Sequence, residues 1–389
     1  MSKNLHSEDT TLQVDINEAT LAVKEKRFAN ALSILEINIS KYPDHIDSLY
    51  LAAVSARYLK KYEESRSYIE SLLINAPNMG RAYQELGHLN RDMGNDEMAM
   101  KHYRQACELN PALLVSWKNL YNYFIKIKNK PAADTAITRI KKLESLPNSL
   151  LYIDQILNEG RLAIAEKKCR EFLKRNPTNT HAMYLLSDIA NKFGHFDDAE
   201  FLLEKAVEFS PNDGDLRMKY AEILRKKQKF PETLEQVNIL CDLYPDNLAY
   251  QAQRATEIMQ NGNHEKAITL LDDILKKNPY NFSIHTSKGH AQKTLGKTQD
   301  AIQSYKSSYK LKPDHCEAFF SLSNLKTYSF DESEIKQMKS QLERVDLPLK
   351  EQTYFHFALA QAFEIKNDFD NAFFHLKNGN RIKNQQSNY

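Results

Sequence analysis

Four polar side chains in the C-terminal half of the chain have the types that recognise a carboxylate. They are His290 and Lys293 in the stretch GHAQKTLG, and Asn324 and Lys326 in the stretch SLSNLKTYSF. Two cations, an amide and an imidazole can all donate hydrogen bonds, and such bonds are stronger when the acceptor is ionised. We therefore predict a site here for an acidic peptide or for the carboxylates of a neighbouring domain. A solvated helix face is the alternative interpretation.

The other residues that could do chemistry do not form the pattern of a catalytic or metal site. None of the twelve histidines belongs to an HExxH or HxH motif or to a Cys/His cluster, so we expect no bound metal. The acidic pair Asp197-Asp198 begins a predicted helix, where the helix dipole favours carboxylates. No GxxxxGK[ST] loop occurs that could hold a nucleotide phosphate. We therefore expect no catalytic residue and no cofactor in this chain.

The composition excludes several classes of partner. The 389 residues include 53 Lys and Arg against 51 Asp and Glu, a net charge of +2, which provides no general attraction to nucleic acids or anionic membranes. The sequence contains no hydrophobic leader and no apolar run of about eighteen residues. Its four cysteines are widely spaced and form no CxxC pair, which suits a reducing compartment. We expect a soluble, cytoplasmic protein that binds neither nucleic acid nor membrane.

The elements that must position these side chains follow a 34-residue period, which the prolines mark. The first set is Pro43, Pro77 and Pro111, and after one irregular interval the second is Pro177, Pro211, Pro245, Pro279 and Pro313. Each proline ends a helix, and Asn, Asp or Thr often follows as a candidate cap of the next helix. Only ten glycines occur in the chain, which favours helices joined by short turns over glycine-rich sheets.

Small and large residues recur in the same phase, counted with the proline as position 32 of a repeat that begins at residue 12. Positions 8 and 20 hold small residues such as Ala53 and Ala99, because two antiparallel helices approach closely only where the crossing side chains are small. Position 24 holds large side chains such as Tyr103, which we expect to fill the gap to the next repeat. Position 15 is the turn between the two helices and requires a left-handed residue. Five glycines occupy it, namely Gly94, Gly160, Gly194, Gly262 and Gly296.

The residues that recur at these repeat positions resemble those of the tetratricopeptide repeat over nearly the whole chain. The segments that carry the resemblance are Trp117-x2-Leu120, Tyr83-x2-Leu86-Gly87 and Ala99-x3-Tyr103. The resemblance implies an all-α, right-handed superhelical solenoid of about eleven stacked helix-turn-helix repeats. It also implies a protein-interaction scaffold that binds a protein or peptide partner in its concave groove. RNA-binding helical repeats are disfavoured by the 34-residue period, the late proline and the near-zero net charge.

The period also predicts where the chain is regular and where it is not. The fifth repeat has a shortened first helix, and the tenth lacks the residues that recur at fixed positions in the second helix of the other repeats. The predicted segments are an N-terminal tail (1–11), repeats one to four (12–147), the shortened repeat (148–179), repeats six to nine (180–315), the degenerate repeat (316–349), and the terminal repeat with a C-terminal tail (350–389).

By the resemblance, positions 2, 5, 9 and 12 of each first helix face the groove, since their spacing places them on one helix face. In repeats two and three they read Asp47, Tyr50, Val54, Arg57 and Arg81, Gln84, His88, Arg91. Lys118 and Asn122 of the fourth repeat match two positions of the clamp with which some tetratricopeptide proteins hold a peptide's C-terminal carboxylate. The irregular fifth repeat offers no matching asparagine, so we do not expect a full clamp.

The segment after Pro279 resembles, more narrowly, the repeat region of bacterial tetratricopeptide–sulfotransferase proteins. The resemblance is carried by GHAQKTLG, SLSNLKTYSF, the degenerate tenth repeat and the ending FHFALAQAFE…FFHLKNGNRIK. In that family a sulfotransferase domain follows the repeats, and its P-R-S-G-T-type donor loop does not occur in this chain. The alternative function is therefore the substrate-recruiting arm of a sulfotransferase whose catalytic domain is absent here. Exposed apolar residues expected on the last helix, such as Phe373, favour a truncated chain.

Overall fold

The computed structural model describes residues 2–386, with the side chains of residues 12–385. The described residues form 22 α-helices and no strand, which confirms the predicted all-α repeat architecture. The chain divides into two compact units, residues 1–206 and 207–389. The helices that lie in or begin in the first unit are α1 (Ser2–Lys24), α2 (Phe28–Lys41), α3 (Ile46–Tyr58), α4 (Tyr62–Asn75), α5 (Gly80–Asp92), α6 (Asp96–Leu109), α7 (Leu114–Lys126), α8 (Lys130–Glu144), α9 (Asn148–Asn158), α10 (Leu162–Arg175), α11 (Thr180–Lys192) and α12 (Phe196–Phe209).

The second unit begins within α12 and continues with ten further helices in the described residues. They are α13 (Gly214–Lys226), α14 (Phe230–Leu243), α15 (Leu248–Gln260), α16 (His264–Lys277), α17 (Phe282–Thr294), α18 (Thr298–Leu311), α19 (Cys316–Ser323), α20 (Glu332–Leu342), α21 (Leu349–Ile365) and α22 (Phe369–Gln386). Helix α1 begins at Ser2, so it includes most of the residues expected to form an N-terminal tail. No helix in the described part of the chain is both long enough and apolar enough to cross a bilayer.

Helices pair within each repeat and then stack on the next repeat. In the first unit α3 packs against α4 and α5 against α6, while α4 also contacts α5 and α6 contacts α7. The same alternation runs from α13 to α19 in the second unit. A single helix pair cannot bury its apolar face alone, so each repeat is stabilised by its neighbours.

The small residues lie where the paired helices cross, as the sequence predicts. Ala53 and Ser65, at positions 8 and 20 of the second repeat, are both fully buried, and the Ser65 hydroxyl donates to the Ala53 carbonyl oxygen at 2.9 Å. Gly87 holds position 8 of the third repeat, and a Cβ atom there would lie only 2.6 Å from the Tyr103 ring. The large side chain at position 24 therefore requires the glycine opposite it.

The turns between paired helices adopt the predicted left-handed conformation, and they do so even without glycine. The five position-15 glycines have φ between +73° and +83°. Five other turns place a residue with a side chain in the same region, with φ between 57° and 61°: Lys26, Lys60, Lys128, Gln228 and Asn367. The conformation is therefore imposed by the helix pair, and the side-chain-bearing residues adopt it at a conformational cost.

In the degenerate tenth repeat, aromatic residues from a loop fill the core in place of the residues that recur in the second helix of the other repeats. Tyr328 and Phe330 precede α20 and are buried in the core around Phe319. The buried Glu334 carboxylate accepts hydrogen bonds from the hydroxyls of Tyr309 and Tyr328. Glu334 also forms a capping box with Asp331, the N-cap residue of α20. The first helix of this repeat, α19, has eight residues, against thirteen in α17.

Candidate functional site

A cavity of about 630 Å³ opens in the first unit, where the first helices of the second and third repeats begin. Its walls are formed by the residues that lead into α3 and α5 and by the turn between α9 and α10. The apolar part of the lining comprises Ile46, Ala76, Pro77 and Met79. Two arginine–carboxylate pairs connect the α9–α10 turn to the two helix N-termini, and they determine the shape of the cavity.

The first pair joins Arg81 and Glu159. Arg81 lies in the first turn of α5, and its Nη2 donates to Glu159 Oε2 at 2.6 Å while its Nε donates to Oε1 at 2.5 Å. The Glu159 side chain is only 3% exposed. The Arg81 guanidinium also lies 4.9 Å above the ring of Tyr50, and burial raises the pKa of Tyr50 to about 12. Two parallel bonds and a stacked ring hold this guanidinium in one orientation.

The second pair joins Arg161 and Asp47. Both terminal nitrogens of Arg161 donate to the two carboxylate oxygens of Asp47, each at 3.0 Å. Asp47 lies in the first turn of α3, where the helix dipole favours its negative charge. Because both side chains are about one-third exposed, we expect this pair to be weaker than Arg81–Glu159.

The irregular fifth repeat explains why its turn reaches this place. Its first helix, α9, has eleven residues instead of the thirteen of α3, α5 and α7. Helix α9 is also tied to the loop before α7, since Asn110 donates to the Gln155 carbonyl oxygen at 3.0 Å and the Gln155 amide donates to Ala112 at 3.1 Å. Glu159, Gly160 and Arg161 then form the turn, with Gly160 at φ +76°.

A second ionic cluster lies deeper along the same first helices. Arg57 donates to both Glu85 and Asp92, with 2.7 Å between Arg57 Nη1 and Asp92 Oδ2. Burial, reinforced by the charges of Arg57 and Arg91, lowers the pKa of His88 to about 3, and its Nδ1 lies 2.7 Å from the Tyr103 hydroxyl. These groups are satisfied by one another and stabilise the packing of α3 against α5.

The structure does not bring Lys118 and Asn122 to this cavity. Lys118 is exposed on α7 and forms a 2.7 Å ion pair with Glu144, while Asn122 is exposed one turn further along α7.

In the second unit, His290 has partners that the sequence did not indicate. Its Nδ1 lies 2.9 Å from the Tyr305 hydroxyl and its Nε2 lies 3.3 Å from Glu317 Oε1. The hydrogen bond from His290 lowers the pKa of the Glu317 carboxyl. An internal carboxylate therefore already lies beside the imidazole for which we predict an acidic ligand.

The other three residues predicted to bind an acidic ligand lie on α17, at the end of α19 and in the turn that follows α19. Lys293 is exposed on α17, one turn beyond His290. Asn324 is the C-cap residue of α19 and keeps a helical conformation, since its N–H donates to the Phe320 carbonyl oxygen at 3.1 Å. Lys326 lies in the following turn at φ 59°, which places it outside any helix.

Sequence reasoning placed Asp47 and Arg81 on the groove but missed their partners Glu159 and Arg161. The available signal was the irregular repeat itself, whose turn reads NEGRL with an acid and a base on either side of Gly160. Periodicity assigned those two residues to a turn between helices, and it contained no information on the distant helices that this turn contacts.

Comparison with known proteins identifies the repeats. One tetratricopeptide repeat family model matches residues 80–113 and 282–315, and a second matches residues 157–223. The matched residues 80–113 and 282–315 coincide with the third and ninth repeats as the proline period defines them. The chain therefore contains tetratricopeptide repeats.

Among curated proteins, the chain is similar to anaphase-promoting complex subunit 3 of Schizosaccharomyces pombe, with 22% identity over 260 residues. The match covers 65% of this chain and 38% of that protein, so the chain spans about two-fifths of the length of this relative. Among solved structures, MamA has a TM-score of 0.38 and 17% identity, covering 41% of this chain and 94% of its own. YrrB, described as a TPR protein with an unusual peptide-binding site, has a TM-score of 0.37 and 14% identity, covering 56% of this chain and 95% of its own.

Proposed function

We propose that the chain is a protein-interaction scaffold and that its first unit binds an extended segment of a partner in the cavity at the start of α3 and α5. The observation that carries this proposal is the cavity of about 630 Å³, which has an apolar lining between two fixed ion pairs. Its volume is in the range of sites that enclose a ligand, and rigid walls reduce the entropy lost on binding. Tetratricopeptide repeats as a class bind protein or peptide partners, which supports the same function.

The lining indicates what kind of segment fits. Ile46, Pro77 and Met79 offer contact to an apolar side chain. Three carboxylates and two guanidiniums line the cavity, and both guanidiniums already hold a carboxylate. Asp44 accepts a hydrogen bond from Asn75 and leaves the lining with a net charge of −1. The partner segment is therefore expected to carry an apolar side chain next to a basic one.

The proposal is tested with an array of synthetic decapeptides that combine apolar and basic residues, followed by fluorescence anisotropy with the peptides that bind. Ile46→Arg places a long cationic side chain in the cavity, and because Ile46 is 40% exposed the change leaves the core intact. Ile74→Arg is the matched control, since Ile74 is 81% exposed and does not line the cavity. We expect at least a tenfold loss of affinity for Ile46→Arg and none for the control.

Equal affinities of wild type, Ile46→Arg and Ile74→Arg would show that peptides bind elsewhere. Equal thermal unfolding of the two variants establishes that a loss of binding does not reflect a loss of structure.

A second proposed surface of the same scaffold lies in the second unit, around His290 and Lys293. Since Glu317 already accepts from His290, an acidic peptide would exchange with this internal carboxylate. Charge reversal by Lys293→Glu with Lys326→Glu should leave the melting temperature unchanged and weaken binding of an acidic peptide. Unchanged affinity and salt dependence would remove these residues, with Asn324, from the proposed site.

The alternative function is the recruiting arm of a sulfotransferase, and it is supported by the resemblance of the stretches in α17 and α19–α22. On this proposal the chain itself neither binds nor uses the sulfonate nucleotide. Isothermal titration with adenosine 3′-phosphate 5′-phosphosulfate should therefore show no binding. Micromolar affinity for the nucleotide would mean that the chain contains a donor site of its own.

A further inference from the structure

The contact between consecutive repeats follows one pattern through the described chain. Cys169, at position 24 of the fifth repeat, donates through its thiol to the carbonyl oxygen of Ala182, at position 3 of the sixth repeat, at 3.2 Å. In repeats one to nine the other position-24 side chains are likewise at most 1% exposed, except for the half-buried Ile137; they are Leu35, Ile69, Tyr103, Leu203, Val237, Leu271 and Tyr305. Position 24 therefore marks the centre of the repeat-to-repeat interface.

Helix α22 has the same apolar pattern, but no described residue packs over that pattern and its large side chains are exposed. Leu376 lies at position 24 of its repeat and is 45% exposed, while Phe369 and Phe373 on the same helix side are 64% and 66% exposed. The spacing of these three residues, i, i+4 and i+7, produces one apolar stripe along the helix. We call this stripe the α22 face.

Helix α1 exposes the complementary half of the interface. Positions 3 and 10 of the later first helices are buried against the preceding repeat, as at Ala82 and Leu89 in α5. In α1 these positions are Val14 and Leu21, which are 56% and 51% exposed. We call Val14, Glu18 and Leu21 the α1 face.

We propose that the chain associates with a second copy of itself by packing the α22 face of one copy against the α1 face of the next. This contact would reproduce the interface that already joins consecutive repeats within the chain. The charges beside the two faces are complementary on balance, with Asp15 and Glu18 on α1 and with Lys377 and Arg381 outnumbering Asp370 on α22. Because the two surfaces differ, the contact is heterologous and a bound copy still offers one free face.

The experiment uses the full chain and two variants that each block one face. Phe373→Glu with Leu376→Glu blocks the α22 face, and Val14→Glu with Leu21→Glu blocks the α1 face. By sedimentation velocity, wild type should form species whose mass rises with concentration beyond a dimer, and each variant alone should be a monomer. An equimolar mixture of the two variants should form a one-to-one dimer that does not grow further, since its remaining faces are blocked.

Ile74→Glu with Tyr280→Glu is the matched control, because these residues are equally apolar and about 80% exposed but lie outside both faces. It should associate like wild type. The proposal is overturned if wild type stays monomeric at the highest soluble concentration, if the mixture stays monomeric, or if the variant blocked at α1 dimerises alone through two α22 faces. Should a glutamate variant lose its helical circular dichroism, the corresponding serine variants provide the same comparison.

Discussion

Arg81 and Glu159 are 78 residues apart in the chain, yet their side chains form a bidentate pair in which the carboxylate is almost completely buried. This pair closes the turn of the fifth repeat onto the third repeat. The pair forms one rigid wall of the cavity. Its contribution to the free energy of unfolding can be measured by substituting one of the two residues.

Glu159→Gln should destabilise the first unit by about 3 kcal/mol, because it leaves the largely buried Arg81 guanidinium without its counter-charge. The free energy of unfolding in urea provides the measurement. Asp96→Asn serves as the control, since the Lys126–Asp96 pair is more than half exposed and solvent screening leaves it little effect on stability. If both changes had the same small effect, the Arg81–Glu159 pair would not hold the turn.

Lys128→Gly should stabilise the protein by up to about 1 kcal/mol. Lys128 has φ 57°, and glycine removes the steric cost of the left-handed region, which exceeds the additional entropy that glycine loses. The converse change, Gly262→Ala at φ +83°, should destabilise by roughly 1 kcal/mol, although nothing lies within 4 Å of the added Cβ. Opposite signs in urea unfolding are the expected outcome, and a loss of stability in Lys128→Gly would contradict it.

Acid should destabilise the protein through its buried neutral histidines. Burial lowers the pKa of His375 to about 4 and that of His88 to about 3, whereas an unfolded histidine titrates near pH 6.5. The stability is therefore complete above about pH 6.5 and is lost as the pH falls toward these folded-state values, because only the unfolded chain takes up the protons. Each histidine contributes a slope of about 1.4 kcal/mol per pH unit.

The measurement compares wild type with His375→Gln across pH 6.5 to about 4.5. His375 lies 3.0 Å from His356 and stacks on Phe363, so the variant loses some stability at every pH. Its pH slope should be smaller by the contribution of one histidine. If the free energies of unfolding of the two proteins changed with pH in parallel, His375 would take up its proton in the folded chain as readily as in the unfolded chain.

Ala267→Leu and Ala199→Leu should each destabilise by roughly 1–3 kcal/mol, since both alanines are fully buried at position 20 of their repeats. A larger side chain there forces two packed helices apart. Lys266→Ala, at an exposed position on the same helix as Ala267, should stay within about 0.5 kcal/mol. Similar effects of all three changes in urea would show that position 20 is not the crossing point.

The sequence by itself determined the repeat architecture, because that architecture depends on contacts between residues close in the chain. Ala53 and Ser65 are twelve positions apart and meet across a single turn, so a small-residue column predicts their contact directly. The position-15 glycines predict left-handed turns for the same local reason, although Lys60 and Gln228 show that a helix pair imposes that conformation on other residues as well.

The tertiary structure alone decided where the candidate site lies. The partners of Asp47 and Arg81 are Arg161 and Glu159, which lie 114 and 78 residues further along the chain. These side chains meet because of the combined rotation of the intervening repeats and because α9 is two residues shorter than α3, α5 and α7. A local sequence pattern does not predict that combined rotation. The degenerate tenth repeat provides the second example, because Tyr328 and Phe330 enter the core from the loop before α20, and no column of the 34-residue period predicts that packing.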